Sequence, residues 1–377
     1  MSRRSLCGIA AAILASASLF AAAPEKSVST PAGDSRITYI GRTLRNESGV
    51  SFDWSGVTAK VSFTGQYIAL KASDSQKNWY NVWIDKAPCP EADMVITIAG
   101  SDTTIVIADE AWFKERYGRK SPAQHTLVLQ KRTEGEQGTT TFKEFITKGE
   151  VLQSEGLKSR MIEFVGDSYT CGYGSENSIH TDPFKPETEN VNKTYAAVIG
   201  RYFDADIITV AHSGMGIARN YNTKVGGWYM HHRYTQTFDK DRESRWDASA
   251  DAFKPQVSVI YLGTNDFSVS MQPSEKTFTA NYITLIKEIK ANWGEDHPVI
   301  CVSSKCDANL FNYVRQAVET CGLSNVHYCG FFEGIHYNDD RDLGASSHPN
   351  YTAHKKLASA LMPYISTMTG WPLRDEQ

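Results

Sequence analysis

After Gly156 the sequence alternates between short apolar runs and longer helix-like segments, and no other feature restricts the fold as strongly. Five of the apolar runs have the length and β-branched content that are typical of strands buried on both faces. Such an alternation predicts a parallel sheet that is covered by helices on both faces. The predicted strands are residues 162–165, 207–210, 257–262, 299–302 and 326–328, and the predicted helices are residues 195–203, 275–293, 310–321 and 351–368.

The chain before Gly156 has a different pattern, which predicts a separate all-β domain over residues 24–153. Its apolar runs are short, rich in β-branched and aromatic residues, and separated by Gly, Asn and Asp. Short strands between turn residues, without a long helical period, are typical of an antiparallel sandwich. The α/β domain is then predicted over residues 154–377. The predicted strands of the first domain are residues 37–41, 59–63, 67–71, 80–84, 94–98, 104–107 and 125–129.

Residues 1–23 have the pattern of a secretory signal peptide. Arg3 and Arg4 form a basic start, residues 6–20 are apolar or small, and residues 21–23 resemble a small-residue cleavage site. The apolar stretch is too short for a membrane span, and no later apolar run reaches that length. The sequence therefore predicts a secreted or periplasmic protein without a membrane span.

Composition and spacing argue against several classes of ligand. The formal net charge of −4 gives no polyanion-binding signature, so no nucleic-acid partner is predicted. Of the seven cysteines, six follow the leader, and none forms a C-x-x-C pair of the kind used for structural zinc. An exported chain has room for one or two disulfide bonds among them. His212, His231 and His232 have no carboxylate at metal-ligand spacing, so no metal site is predicted.

Residues that can carry acyl-transfer chemistry follow three of the predicted strands. Ser168, Gly214 and Asn265 each come directly after a strand, and His348 precedes the last predicted helix. In open parallel sheets the active site lies outside the carboxyl ends of the strands. A serine nucleophile, a histidine base and oxyanion donors are the groups that acyl transfer requires.

Each of these residues also has a purely structural interpretation. Ser168 can be a helix N-cap, Gly214 a turn glycine, and Asn265 part of an Asx-turn. A single histidine before proline, as at His348, is usually structural. The four motifs together, in this order, favour the catalytic interpretation. No G-x-S-x-G motif follows a strand, which argues against the nucleophile elbow of the α/β-hydrolases.

The motifs Gly-Asp-Ser168, Gly214, Gly-Thr-Asn265-Asp and His348-Pro-Asn resemble the four blocks of the SGNH hydrolases, the GDSL-type esterases. Residues 162–174, and several segments of the β domain, resemble carbohydrate esterase family two more closely. This resemblance implies an N-terminal jelly-roll domain followed by a three-layer, flavodoxin-like SGNH domain. It also implies removal of O-acetyl groups from plant polysaccharides or oligosaccharides such as xylan or glucomannan, without a cofactor.

The resemblance further implies roles for the motif residues. Ser168 would be the nucleophile and His348 the general base and then acid. The backbone N–H groups of Ser168 and Gly214 and the side-chain amide of Asn265 would form the oxyanion hole. Members of the wider group often carry Asp three residues before the histidine, where this chain has Ala345. We therefore expect a main-chain carbonyl to orient His348, with Asp339, Asp340 and Asp342 as the alternatives.

Aromatic residues near the motifs can contact sugar rings. Trp228 and Tyr169 are the candidates for substrate binding, and core packing is the competing interpretation of both. Cys171, three residues after Ser168, is interpreted as a buried small side chain rather than a nucleophile. Two alternative functions stay open: an SGNH esterase on another acyl ester, such as O-acetylated sialic acid or a short lipid ester, or a glycan-binding protein with a degenerate active site.

Overall fold

The computed structural model describes residues 27–269, 271–303, 308–330 and 338–374. The predicted signal peptide and Cys306 lie outside these ranges. The first half of the described chain forms an antiparallel sheet with one helix on its edge. Its elements are β1 (Val28–Pro31), β2 (Thr38–Ile40), β3 (Leu44–Asn46), β4 (Gly49–Phe52), β5 (Thr58–Thr64), β6 (Ile68–Ile84), β7 (Met94–Ala108), α1 (Glu110–Tyr117), β8 (Gln124–Lys131), β9 (Thr140–Thr147) and β10 (Val151–Leu152).

Hydrogen bonds join these ten strands into one curled sheet. The 17-residue strand β6 pairs with β7 along most of its length, with β8 through its end and with β9 through its beginning. Two register shifts fall between Ala72 and Lys77, where the strand bends. A bulge increases local twist and bends the strand, so one long strand can serve both sides of the curled sheet.

The second half forms a parallel sheet of five strands in the order β12-β11-β13-β14-β15. This is the flavodoxin-like order 2-1-3-4-5, and it confirms the predicted fold class of an α/β domain after an all-β domain. All five predicted strands and four predicted helices are present. The elements are β11 (Met161–Gly166), α2 (Ser168–Cys171), α3 (Tyr195–Phe203), β12 (Asp206–Ala211), α4 (Met230–Arg233), β13 (Val257–Tyr261), α5 (Glu275–Trp293), β14 (Val299–Ser303), α6 (Ala308–Thr320), β15 (Val326–Gly330), α7 (Asp339–Asp342), β16 (Leu343–Gly344), β17 (His348–Pro349) and α8 (Tyr351–Thr369).

The sequence marks the start of α8, which fixes the segment that carries His348. The Asn350 side chain accepts hydrogen bonds from the backbone N–H groups of Thr352 and Ala353, which are otherwise unpaired at a helix start. Asn350 N–H donates to the carbonyl of Asp342, and the two-residue strands β16 and β17 pair beside it. These contacts therefore hold the two ends of the loop before α8 together.

Neither a membrane span nor a disulfide bond occurs in the described ranges. None of the helices there combines the length and the apolarity that crossing a membrane would take. The five cysteines of the described chain are all free. Cys171, Cys301 and Cys329 are buried, and burial raises the pKa of the Cys171 thiol well above its usual range. Cys171 thus remains a protonated, unreactive side chain.

Candidate active site

Ser168 lies at the carboxyl end of the central strand β11, as the first residue of α2. Asp167 caps this short helix, since its Oδ1 accepts the Tyr169 N–H at 3.1 Å. Ser168 is 6% exposed, so only a small part of the residue is open to solvent at the strand ends. Among the described residues, no protein acceptor takes the Ser168 N–H.

His348 meets Ser168 from the loop before α8. Its Nε2 lies 2.9 Å from Ser168 Oγ, and its Nδ1 lies 3.1 Å from the carbonyl oxygen of Ser346. The carbonyl can only accept, so Nδ1 carries the hydrogen and Nε2 presents its lone pair to the serine hydroxyl. Burial lowers the pKa of His348, which favours the neutral imidazole and so leaves Nε2 free to accept a proton.

The backbone that presents this carbonyl has an uncommon conformation. Ser346 and Ser347 both have positive φ angles, 52° and 58°, which cost energy for residues other than glycine. The Ser346 N–H donates to the carbonyl of Asp182 at 2.8 Å, and the Ser347 N–H donates to that of His180 at 2.9 Å. The segment after α2 therefore holds the histidine loop in its left-handed turn.

Ala345 occupies the place where an orienting aspartate would stand. It is fully buried, and a Cβ atom at Gly174 would lie only 2.7 Å from the Ala345 Cβ. The space beside Ala345 is thus filled by the backbone of Gly174. A longer side chain at position 345 would have to displace this backbone before it could approach His348.

Asp342 makes its side-chain contacts away from His348. Its Oδ2 accepts hydrogen bonds from the Asn338 N–H at 2.6 Å and from Lys356 Nζ at 2.7 Å. Asp340 is exposed, and its backbone N–H donates to the Asn338 side chain. The side chain of Asp339 lies outside the described part of the chain. No described carboxylate contacts His348.

Gly214 lies in the loop after β12, beside the carboxyl end of β11. Its φ of +76° lies in the left-handed region, where glycine avoids the steric cost of a Cβ. Its carbonyl accepts the Tyr221 N–H at 2.8 Å, while its own N–H has no acceptor among the described protein atoms. The predicted backbone donors of Ser168 and Gly214 are therefore both open to a ligand.

The side-chain amide of Asn265, after β13, already donates hydrogen bonds within the protein. Its Nδ2 donates to Asp167 Oδ2 at 3.1 Å and to the Met215 carbonyl at 2.9 Å. The amide thereby links the serine turn to the Gly214 loop. Burial raises the pKa of Asp167 to about 7. The role of Asn265 as a direct oxyanion donor stays a prediction.

Sequence reasoning missed two carboxylates that hold the Gly214 loop. Asp266 accepts the backbone N–H groups of Ile217, Ala218 and Arg219 at 2.6 to 3.2 Å. The sequence feature that could have identified Asp266 is its position directly after Asn265. Glu134, from the β domain, accepts the Ser213 N–H at 2.6 Å, and no local motif marks it.

The two aromatic candidates for substrate binding have different surroundings. The Tyr169 ring packs edge-on against His348, with ring centroids 5.9 Å apart. Trp228 is half-buried and stacks on His232 at 4.6 Å, and its indole N–H donates to Gln236. Tyr169 thus packs beside the Ser168–His348 pair. For both residues, sugar contact stays a prediction.

Potential metal ligands gather at one place in the described chain. Glu134, Cys171 and Glu189 have ligand atoms within 4.8 Å of one another, all buried. The Cys171 thiol already donates to Glu134 Oε2 at 3.5 Å, so these groups contact one another directly. His212 instead pairs with Asp239 at 2.6 Å.

The family comparisons agree with this two-domain site. The model of the carbohydrate esterase 2 N-terminal domain matches residues 39–154. The model of the GDSL-like lipase/acylhydrolase family matches residues 164–356, which is more than half of the chain.

Individual relatives resemble nearly all of this chain. Cellulase/esterase CelE of Acetivibrio thermocellus is 31% identical over 341 residues, covering 89% of this chain, which spans 40% of CelE. The acetylxylan esterase/glucomannan deacetylase of Cellvibrio japonicus is 27% identical over 98% of this chain and 99% of its own length. A family two carbohydrate esterase from Clostridium thermocellum, solved in complex with cellohexaose, is 29% identical with a TM-score of 0.78. That match covers 89% of this chain and 100% of that chain.

Proposed function

Because the chain belongs to carbohydrate esterase family 2 and is a carboxylic ester hydrolase, we propose that it removes O-acetyl groups from xylan, glucomannan or their oligosaccharides. The observation that carries this proposal is the 2.9 Å hydrogen bond between Ser168 Oγ and His348 Nε2, beside two open backbone N–H groups. The activities named for the C. japonicus relative support the choice of substrate, and the name of A. thermocellus CelE supports ester hydrolysis.

In the first step, Ser168 Oγ attacks the acetyl carbonyl carbon while His348 Nε2 takes the hydroxyl proton. The carbonyl oxygen becomes negative and accepts hydrogen bonds from the Ser168 and Gly214 N–H groups. His348 then donates its proton to the sugar oxygen as the bond between that oxygen and the acetyl carbon breaks. The sugar hydroxyl leaves, and the acetyl group remains on Ser168.

In the second step, water releases acetate by the same route in reverse. His348 takes a proton from the water, whose oxygen attacks the acetyl carbon, and the proton passes to Ser168 Oγ as the acyl bond breaks. In both steps the imidazolium holds its Nδ1 hydrogen on the Ser346 carbonyl oxygen at 3.1 Å. A neutral carbonyl orients the ring but stabilises its positive charge less than a carboxylate would.

We propose that the surface beside Ser168 also binds unacetylated β-linked glucan. The C. thermocellum relative was solved with cellohexaose, a ligand that has no ester to hydrolyse. Cellohexaose is then expected to inhibit hydrolysis of acetylated oligosaccharide competitively. Inhibition that is absent, or that leaves KM unchanged, would contradict this assignment.

Export is a further part of the proposal, and the leader-like pattern of residues 1–23 supports it. Polysaccharides of plant cell walls do not enter a cell intact, so an enzyme that acts on them has to be outside. The expected result is a mature protein, in the medium or periplasm, whose N-terminus lies near residue 24. An intact leader on cytoplasmic protein would contradict it.

The deciding experiment measures acetate release from acetylated xylan and acetylated glucomannan, and 4-nitrophenol release from 4-nitrophenyl acetate. Wild type is compared with Ser168→Ala and His348→Ala, and with Ser48→Ala as a control at an exposed serine in the β domain. We expect release by wild type and the control, and a loss of about 10³-fold or more in both dyad variants.

The pattern of substrates separates the remaining alternatives. Hydrolysis of 4-nitrophenyl acetate without release from either polysaccharide would move the assignment to another acyl ester, such as O-acetylated sialic acid or a short lipid ester. Equal, negligible release by wild type and Ser168→Ala, with retained glycan affinity, would instead identify a glycan-binding protein.

A further inference from the structure

A buried glutamate of the β domain reaches into the α/β domain directly below the strand ends. Glu134 follows β8 and precedes a single 3₁₀ turn at Gly135–Gln137. Its side chain is buried, with only 2% of the residue exposed. Buried carboxylates are uncommon without specific partners, so the contacts of Glu134 indicate what it does there.

One oxygen of Glu134 contacts both elements that carry the open oxyanion donors. Its Oε2 accepts the Ser213 N–H at 2.6 Å, and Ser213 directly precedes Gly214. The same oxygen accepts the Cys171 thiol at 3.5 Å, and Cys171 belongs to the helix that begins at Ser168. A single atom from the other domain thus bridges the two strand-end turns.

The backbone that carries the Glu134 side chain is itself held in place. Its N–H donates to Glu189 Oε2 at 3.1 Å, and its carbonyl accepts Lys131 Nζ at 3.0 Å. Gly135 lies so close to Asp239 that a Cβ there would be 2.6 Å from the Asp239 carboxylate. Burial, with Glu134 beside it, raises the pKa of Glu189 well above its usual range.

The Gly214 loop is held at several points. Gly214 itself has no side chain and a φ of +76°, and the Met215 N–H donates to the His212 carbonyl at 3.2 Å across it. On the far side, the Tyr221 N–H binds the Gly214 carbonyl. On the near side, Glu134 fixes the peptide between His212 and Ser213, and only the two backbone dihedrals of Ser213 separate that peptide from the Gly214 N–H.

We infer that Glu134 is a positioning residue for the oxyanion hole, supplied to the α/β active site by the β domain. This inference rests on the proposed function, since it assigns Gly214 N–H as an oxyanion donor. The β domain then contributes to catalysis itself, in addition to any contact it makes with glycan. Preorganised donors work because they do not have to reorient as charge develops, and a loosened loop loses that advantage.

Three substitutions of Glu134 separate this role from a structural one. Glu134→Gln keeps an oxygen at the same reach, Glu134→Asp keeps the charge but withdraws the oxygen by one methylene, and Glu134→Leu removes the acceptor. We expect kcat for 4-nitrophenyl acetate to fall about 10- to 100-fold in the Asp and Leu variants, with KM nearly unchanged. The Gln variant should stay within about fivefold of wild type, because the Ser213 N–H keeps its acceptor.

Each rate is expressed per active site, counted from the burst of 4-nitrophenol, so that a loss of folded protein does not lower it. Glu163→Gln is the matched control, because Glu163 is also fully buried and accepts from Ser258 and Trp293 but does not contact Ser213. We expect it to lower the melting temperature and to leave kcat per site nearly unchanged. Binding of methylboronic acid, which forms a tetrahedral adduct with serine, should weaken with kcat in the Glu134 variants.

The outcomes distinguish failure of the Glu134 inference from failure of the proposed function. Full kcat in Glu134→Asp and Glu134→Leu, with no activity in Ser168→Ala, would overturn the inference and leave the proposed function intact. No hydrolysis by wild type would overturn the proposed function itself. If the Leu variant does not fold, the relative kcat values of the Gln and Asp variants test the inference. Asp more active than Gln would mean that charge, rather than placement of Ser213, is what matters.

Discussion

At the scale of single residues, a backbone carbonyl contacts the second imidazole nitrogen of His348. The Ser346 oxygen lies 3.1 Å from Nδ1, and Ala345, three residues before His348, has no carboxylate. A carbonyl fixes the tautomer as well as a carboxylate does, because both only accept. Orientation can therefore be kept while the electrostatic stabilisation of the imidazolium is reduced, which agrees with the predicted serine–histidine dyad.

If Ser346 orients His348, the substitution Asp342→Asn should affect stability more than catalysis. Asp342 is fully buried and accepts the Asn338 N–H and Lys356, so its loss is expected to cost about 1–3 kcal/mol of unfolding free energy. The kcat per folded molecule should stay within about tenfold of the wild-type value, whereas removal of a triad aspartate lowers kcat by about 10⁴-fold. Urea unfolding and kcat measure the two effects, and a 10³-fold fall in kcat would identify Asp342 as the orienting acid.

The pH dependence of catalysis tests the protonation state of His348. Burial lowers its pKa, so the neutral base persists below the ordinary histidine value of about 6.5. Activity is lost when Nε2 takes a proton, and the acid limb of kcat/KM should therefore have its midpoint below about pH 6.5. A midpoint above 7 would contradict this. Asp167, whose pKa burial raises to about 7, is examined through the Asp167→Asn profile so that its titration is not mistaken for that of His348.

At the scale of secondary-structure elements, the active site consists of three strand ends and a loop that cross-link one another. Asn265 links Asp167 to Met215, and Asp266 holds the backbone from Ile217 to Arg219. The turn after β13 therefore fixes the turn after β12. This explains why the Gly-Thr-Asn-Asp motif carries two polar residues in sequence: one contacts the serine turn and the other holds the glycine loop.

Asp266→Asn should loosen the Gly214 loop without removing any proposed catalytic group. An amide presents only one acceptor oxygen where the carboxylate receives three backbone N–H groups, so at least one donor is left facing an NH₂ group. We expect the unfolding free energy to fall by about 1–3 kcal/mol and kcat to fall about tenfold. Asp247→Asn, at an exposed aspartate, should change neither quantity. An unchanged kcat in Asp266→Asn would show that the loop is rigid without this contact.

The elements of the α/β domain were predicted more accurately than those of the β domain, for physical reasons. Buried parallel strands and capped helices have strong local signals, and helices 195–203 and 275–293 match α3 and α5 in full. In the β domain, two pairs of predicted strands are each one long strand. β6 continues through the polar residues 73–77 with bulges, and β7 continues through Gly100 and Asp102, which have positive φ angles. Those residues look like turns because bulges and turns use the same chemistry.

The motif residues of the site could be found from sequence, but their supports could not. Ser168 and His348 lie within hydrogen-bond distance although 180 residues separate them. Glu134 contacts Ser213 from another domain, and Ser346 contributes a backbone carbonyl that any residue would have. β1, β9 and helix α1 were also missed; in α1, Phe113 is the one buried residue, so no apolar periodicity indicates the helix.

At the scale of the whole molecule, the two domains share one hydrophobic core. A single cluster of buried side chains runs from Ala32 and Phe52 in the β domain to Val165 and Ile208 in the α/β domain. Polar contacts also cross the interface, such as the 2.9 Å bond between the Asn81 and Asn190 side chains. A core that continues from one domain into the other favours a single cooperative unit, in which the β domain does not unfold independently.

Arg42 provides a direct test of this cooperativity. From the β domain it inserts between α/β residues, donating to the carbonyls of Tyr234 and Gln236 and lying over the Trp246 ring at 3.6 Å. Arg42→Ala leaves both carbonyls buried without their donor and opens a cavity, so we expect a loss of about 3 kcal/mol or more of unfolding free energy. Calorimetry should show one transition, shifted as a whole, and hydrogen exchange should lose protection in β6 and β13 to the same extent. The exposed neighbour Arg45→Ala should shift the transition little. Two separate transitions, with β13 still protected while β6 exchanges, would instead mean that the β domain unfolds independently. The position of Glu134 in the active site would then depend on a separate equilibrium in which the β domain docks on the α/β domain.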